Sequence, residues 1–494
     1  MNENIKLFAL GGMDENGKSL YVVEYNEQIY VFDAGLRYPE ESLLGIDVIL
    51  PGFQYLINNK NRIKAFFLTH GHDENMGALP FIIESLGKVE VYGTAFTLLS
   101  LYHTADRFNK DIKEAIFHTI GENETFVVNG MTIHSFGVTH GVPNACGYAM
   151  ETENGLIVYT GDFILDFSEK APYDTNLARI MDIAKKPTLV LLAESYNSTY
   201  KGFVAPNNHL SSRLNTIFDE VKGRIFISMY GQTIFQLQEI IDSARQSRRK
   251  VFLYTRQVRE TVSLLKDEIK GFNLPDNIVT NNIFDKDCVV VVSELGNKVF
   301  EILDEIARAN DTDKSLRITS DDAFVIASPA HAGTEISFAR ILDKLYKTDA
   351  QVYNVSKEYV SMHAGSEDLK TILSIFKPKY YIPIIPMVFV NGAIGIGTGY
   401  STMILQHNPL DIINNVKKYM KARKTNKNKF PRFHPKYNYY KGEITLSDYS
   451  ETRYDVHGVY TIKGNQVYIT EVPFQICKQK FIKLLQELYT KDEI

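Results

Sequence analysis

Short apolar runs alternate with polar turns from residue 1 to about residue 200. Leu7 to Gly12 and Gln28 to Gly35 read as strands that end in tight turns, with Asp33 closing the second. Ile63 to Leu68 is a mostly apolar run that reads as a buried strand and stops at Thr69. An apolar helical pattern follows from Met76 to Leu86, and Val89 to Tyr92, Met131 to Gly137 and Gly155 to Tyr159 read as further strands. Such a mixture predicts packed α and β layers. Beyond about residue 206, Arg224 to Ser228 and Lys250 to Tyr254 read as buried strands, each followed by a helical pattern. Cys288 to Val292 and Ala323 to Ala327 add two more, and repeated strand-helix units predict a parallel sheet. Glu367 to Phe376 reads as a helix.

Ligand-type side chains gather where the first strands end. His70 and His72 follow Thr69, and alternate side chains of extended backbone point the same way, so both imidazoles can reach one metal. His140 follows the run Ser135 to Thr139, and Asp162 follows Leu156 to Gly161. Taken singly, each is as well read as a loop or turn residue. Four of them at strand ends favour a metal site.

Composition changes this picture little. The 494 residues are 44% hydrophobic and 23% charged, enough for two or more cores. The net charge of −5 means that nucleic acid would need a local basic patch. Cys146, Cys288 and Cys477 form no C-x-x-C, which points to the cytoplasm, and the N-terminus lacks a signal-peptide pattern. The apolar tract from Tyr380 to Tyr400 holds Pro383, Pro386, Asn391 and four glycines, which argues against a membrane span.

His70-Gly71-His72-Asp73-Glu74-Asn75 resembles the H-x-H-x-D-H motif of the metallo-β-lactamase superfamily, with Glu74 at its Asp position and Asn75 at its last His. Leu36 to Glu41, Gly45-Ile46-Asp47, Pro51, Thr160 to Phe163 and Glu194-Ser195-Tyr196-Asn197 are similar to ribonuclease J, in an order that covers residues 1 to about 384. The resemblance implies an α/β protein: a metallo-β-lactamase αββα sandwich (1–205, closed by 346–384) with an inserted β-CASP α/β domain (206–345). It implies RNA as substrate, cut internally and from the 5′ end. It makes His70, His72, His140 and Asp162 one metal site, with Asp162 bridging to a second whose ligands are Glu74 and Asn75, and Asp33 holding the histidines from behind. Asn is a weak substitute for imidazole, so the expectation is at most one zinc or manganese ion per chain. Glu74, Asp162 and His363 become the catalytic candidates. Tyr359 to Ala364 is similar to the family's H-V-S-G-H-A, matching at Ser361 and His363 but not at Tyr359 and Met362. RNA contacts are implied at Ser361, His363, Glu194 and Asn197, whereas Ser228 to Thr233 and Gln236 depart from the family pattern.

After Ile384 the likeness changes. Ile385 stands where ribonuclease J leads into its last metal-binding histidine. Ile385 to Ser401, Asn408-Pro409, Tyr440 to Ile444 and Ile469 to Pro473 resemble type IIA DNA topoisomerases of the eukaryotic and large-virus kind. Residues 385–494 therefore resemble an α+β topoisomerase fragment, without the catalytic tyrosine motif, and the whole chain resembles a chimera of two bodies joined near residues 381–390. Ile412 to Gly442 contains no acidic residue and interleaves lysines and arginines with aromatics, either a nucleic-acid surface or a solvated basic face. Lys441 and Ile444 are the implied DNA contacts. Three functions stay open: a metal-dependent RNA hydrolase weakened at its second metal; an inactive RNA-binding subunit of an active ribonuclease J, or a homo-oligomer; and a DNA-binding topoisomerase remnant. No membrane partner is implied.

Overall fold

The computed structural model describes residues 5–491 except 14, 16, 40–44, 170, 270–271, 273, 276–277, 297, 313–316, 331–333, 358–361, 385–392, 398–399, 405–433, 438–439, 448–453, 465 and 474–477. The candidates Ser361 and Tyr359, Ile385 and most of the basic stretch lie outside the described residues.

One six-stranded sheet runs in the order β1 (Lys6–Gly11), β2 (Leu20–Tyr25), β3 (Gln28–Phe32), β4 (Ile63–Phe67), β5 (Glu90–Gly93), β6 (Ile116–Thr119). Its first three strands pair antiparallel and the rest parallel. Strand geometry sends successive side chains to opposite faces. Tyr21, Tyr30, Phe32 and Phe67 therefore enter one core while Val22, Val31 and Phe66 enter another. The second core is covered by helices Leu79–Leu86 and Ala95–Arg107.

The first core is shared with a second six-stranded sheet. That sheet consists of β7 (Thr125–Val128), β8 (Met131–Gly137), β9 (Cys146–Thr152), β10 (Gly155–Tyr159), β11 (Thr188–Glu194) and β17 (Tyr380–Ile384), with β17 and β7 at its edges. Ile133, Tyr148, Ile157 and Leu192 meet the first sheet. Phe136, Val158 and Leu191 pack outward with helices Leu177–Ile183 and Ser366–Phe376. The result is an αββα sandwich.

Between β11 and β17 the chain builds a five-stranded sheet, in the order β13 (Lys250–Leu253), β14 (Cys288–Glu294), β12 (Ile225–Tyr230), β15 (Ala323–Ile326), β16 (Gln351–Asn354), all parallel. Helices Ile234–Gln246 and Arg256–Glu268 lie among its connections. β16 pairs with β15 at the edge of this sheet. The helix expected from Met76 is instead two pieces, Asp73–Met76 and Leu79–Leu86. Strands β2, β9 and β11 had strand-like composition but were not anticipated.

The chain divides into two compact units, Met1–Pro386 and Met387–Ile494. Among its described residues the second has three antiparallel strand pairs, Ala393–Gly397 with Tyr400–Ile404, Glu443–Leu446 with Tyr454–His457, and Val459–Lys463 with Gln466–Glu471, and helix Lys478–Thr490. Lys441 is exposed and Ile444 half-buried. Among the described residues no helix is long and apolar enough to cross a membrane.

Candidate metal centre

Asp33 ends β3 with a left-handed φ of 58° and is fully buried. Its carboxylate accepts the backbone N–H of Thr69 (2.8 Å), the Thr69 hydroxyl (2.9 Å), the Tyr159 hydroxyl (2.7 Å) and the Asn75 amide (2.8 Å). Burial pushes its pKa up to about 6, against the pull of these donors. Two glycines let the surrounding turns close. A Cβ on Gly35 would sit 1.5 Å from the Glu74 carbonyl oxygen, and Gly161, at φ 62°, lies against Thr69.

Thr69 carries the order one step further. A carboxylate only accepts, so the threonine hydroxyl donates to Asp33 and its oxygen accepts from His70 Nδ1 at 2.9 Å. His72 donates from Nε2 to the Gln232 carbonyl (3.1 Å), and His140 donates from Nδ1 to the Met362 carbonyl (2.8 Å). These partners fix each tautomer. The nitrogens left without protons are His70 Nε2, His72 Nδ1 and His140 Nε2. They face one another: His72 Nδ1 is 3.1 Å from His70 Nε2 and 3.2 Å from His140 Nε2. Burial lowers the pKa of all three rings, that of His72 to about 4, so they are neutral. Three lone pairs aimed at one point repel one another unless a cation sits between them. A tetrahedral ion with 2.0–2.1 Å bonds to nitrogen has edges of about 3.3–3.4 Å, close to these separations. Asp162 Oδ2, 3.8 Å from His70 Nε2, stands near a fourth corner.

Asp162 also belongs to a second group, with Glu194 and His363. Glu194 receives His363 Nδ1 at 2.6 Å and the backbone N–H groups of Phe163 (2.6 Å) and Ala364 (3.2 Å). Asn197 donates to the His363 carbonyl at 3.3 Å. Burial alone would lower the His363 pKa, but the Glu194 carboxylate carries it up to about 9, so the ring is a cation at neutral pH. Burial, then the charge of Glu194, pushes Asp162 up to about 8. Burial, then Asp73, pushes Glu74 up to about 7.

The structure thus brings together His70, His72, His140, Asp162, His363, Glu194 and Asn197. Glu74 lies within electrostatic reach of Asp162 and His363. Asn75 is buried with its amide donating to Asp33, and among the described residues Glu74 joins no cluster of three His, Cys, Asp or Glu side chains. The carbonyls of Gln232 and Met362 were missed, since a backbone acceptor leaves no mark in residue type. Asp73 was missed too; fully buried, it binds Tyr38 (2.6 Å), Thr104 (3.2 Å) and Arg107 (2.8 Å) and fixes the turn between His72 and Glu74.

Comparison with known proteins extends this geometry. A family model for the β-CASP domain of ribonuclease J matches residues 222–345. Ribonuclease J 2 of Staphylococcus epidermidis is 29% identical over 389 residues, which is 78% of this chain and 69% of that protein. Ribonuclease J 2 of Staphylococcus aureus is 28% identical over the same shares. The N-terminal part is similar to ribonuclease J. A solved structure of a protein of unknown function from Enterococcus faecalis V583 shares the fold, with a TM-score of 0.52 and 17% identity over 77% of this chain and 93% of that one. The architecture is the metallo-β-lactamase sandwich with its β-CASP insert. A second family model, that of the DNA gyrase/topoisomerase IV A-subunit, matches residues 374–494.

Proposed function

We propose that this chain is a ribonuclease J-like, metal-dependent RNA phosphodiester hydrolase, acting from the 5′ end and internally, and slowed by an incomplete second metal position. The convergence of three proton-free imidazole nitrogens carries this reading. His70, His72, His140 and Asp162 would hold one zinc or manganese ion, whose chemistry is to polarise the phosphodiester and acidify water. The protein supplies the rest. Thr69, Gln232 and Met362 keep the three rings in their ligating tautomers. The His363 cation binds a phosphate oxygen, and Glu194 and Asn197 act on RNA by holding it. Ser361 would add a hydroxyl to the same phosphate. Glu74, titrating near neutrality, is the candidate base.

The second metal position is read as incomplete because Asn75 offers at most a neutral amide oxygen where the resemblance calls for an imidazole, and Ile385 falls where the last histidine is expected. That supports weak activity, and it equally suits an RNA-binding subunit beside an active partner. The C-terminal unit is read as a topoisomerase-derived fragment of a chimera, with Lys441 and Ile444 as DNA contacts. The test incubates the full chain, with zinc or manganese, with 5′-monophosphorylated and 5′-triphosphorylated RNA. The hydrolase reading expects slow release of nucleotides from the monophosphorylated RNA, abolished by His72→Ala. RNA binding without cleavage would select the partner-subunit reading, and preference for duplex DNA over RNA the remnant.

A further inference from the structure

Outside the histidine site, one ligand atom each from Asp166, Glu169 and His209 lies within 4.8 Å of the others. Asp166 and Glu169 follow the β10 strand end of the sandwich. His209 precedes helix Ser211–Glu220 at the start of the inserted domain. His209 Nε2 is 3.3 Å from Asp166 Oδ2 and 3.7 Å from Glu169 Oε1. The first is a long hydrogen bond, beyond the roughly 2.7–2.9 Å of a tight charge-assisted one. The two distances instead bracket about 3.4 Å, the edge of a tetrahedron with 2.1 Å bonds around zinc.

The far side of the ring is built for the same purpose. His209 Nδ1 is 3.1 Å from Glu239 Oε1, and the Glu239 carboxylate also accepts the backbone N–H groups of Leu210 (3.2 Å) and Ser211 (3.3 Å). A carboxylate behind an imidazole orients it toward a metal and strengthens it as a ligand. Asp166 Oδ1 takes the backbone N–H and hydroxyl of Ser168 at 2.9 and 2.6 Å, which leaves Oδ2 to the ring. A separate observation points to a missing partner. Among the described residues, the Tyr173 hydroxyl is buried with no hydrogen bond, within electrostatic reach of Glu169. Asn208, next to His209 and fully buried, has no partner for either amide atom among the described residues. Water on a bound ion supplies the kind of partner a buried hydroxyl lacks.

We propose that Asp166, Glu169 and His209 bind a zinc ion that ties the sandwich to the inserted domain, with Glu239 orienting the imidazole. This site is additional to the histidine site and does not rest on its function. A proton is its competitor. Hydrogen bonds to Asp166 and Glu239 raise the His209 pKa to about 10, so zinc must displace a firmly held proton.

The test is zinc content of the full chain after equilibrium dialysis against zinc at neutral pH. His70→Ala/His72→Ala removes the histidine site and should still retain about one equivalent. Adding Glu169→Gln, which keeps side-chain volume at a partly exposed position, should weaken the remaining zinc about 10-fold or more. Adding His209→Gln should abolish it. Zinc-edge absorption of the His70→Ala/His72→Ala chain should show one nitrogen with oxygen ligands. If that double variant misfolds by circular dichroism, wild type is compared with Glu169→Gln and His209→Gln alone: the first should weaken one zinc about 10-fold or more and the second should lose one equivalent. Zinc content indifferent to both substitutions, or no zinc outside the histidine site, overturns the proposal and leaves an imidazolium ion-pair clamp.

Discussion

Replacing Thr69 by valine isolates the step by which the buried Asp33 carboxylate orients a metal-ligating imidazole. Valine keeps the shape of threonine and the backbone bond from residue 69 to Asp33 (2.8 Å). It deletes the hydroxyl that donates to Asp33 at 2.9 Å and accepts from His70 Nδ1 at 2.9 Å. The His70 N–H is then buried without a partner, a penalty of about 1–3 kcal/mol. The added methyl returns about 0.8 kcal/mol of apolar burial, so net folding stability should fall by roughly 1–2 kcal/mol. Metal affinity should fall more sharply, because His70 Nδ1 loses the group that selects its tautomer. Loss of such an orienting partner weakens metal binding about 10–100-fold. The assay is zinc competition against a chromophoric chelator, with Thr69→Ser as control. Serine retains the hydroxyl and should behave nearly as wild type. If Thr69→Val and Thr69→Ser bind zinc equally tightly, the hydroxyl does not set the His70 tautomer and the reasoning fails.

Three further outcomes are expected. Asn75→His with Glu74→Asp should raise cleavage of 5′-monophosphorylated RNA only in part, since Ile385 still follows where a histidine is needed; unchanged rates despite added metal would place the limit elsewhere. Burial works to raise the Asp322 carboxyl, but Arg224 (2.8 Å) and the Thr319 and Arg224 backbone N–H groups (2.9 Å each) outweigh it and hold the pKa low. Its stabilisation is complete above the unfolded value of about 3.9 and is lost as pH falls toward the lower folded value. Asp322→Asn should cost about 3–5 kcal/mol at neutral pH. In acid melts it should also flatten the loss of stability below about pH 4; equal acid sensitivity in wild type and variant would contradict this. Lys441→Ala should weaken duplex DNA binding uniformly across sequences and reduce the salt slope by about 1. An unchanged slope would remove Lys441 from the interface.

The sandwich and its insert were legible because their strands are apolar runs ended by polar turns. Period-2 alternation at Phe66 and Phe67 then sorts side chains into two cores. His70, His72, His140 and Asp162 stood out because ligand-type residues ended those runs. What was not legible was what holds them. The carbonyls of Gln232 and Met362 lie 160 and 222 positions from the rings they fix, and any residue type could supply them. Asn75 read as a poor metal ligand, yet the fold gives its amide to Asp33, a contact 42 positions away that no local pattern announces. Glu194 and Asn197, implied by resemblance to meet RNA, each bond His363 more than 160 positions away, a pairing no local pattern shows. The turn at Gly77, where a Cβ would lie 2.8 Å from both the Asp73 carbonyl oxygen and Leu36, divides what looked like a single helix from Met76.

Zinc content and RNA cleavage, measured on the same dialysed samples of wild type and His70→Ala/His72→Ala, decide whether the histidine site holds the metal that cuts RNA. The double variant should lose one zinc equivalent and its cleavage of 5′-monophosphorylated RNA together. Undiminished zinc content, or cleavage that persists after the zinc is gone, would contradict it.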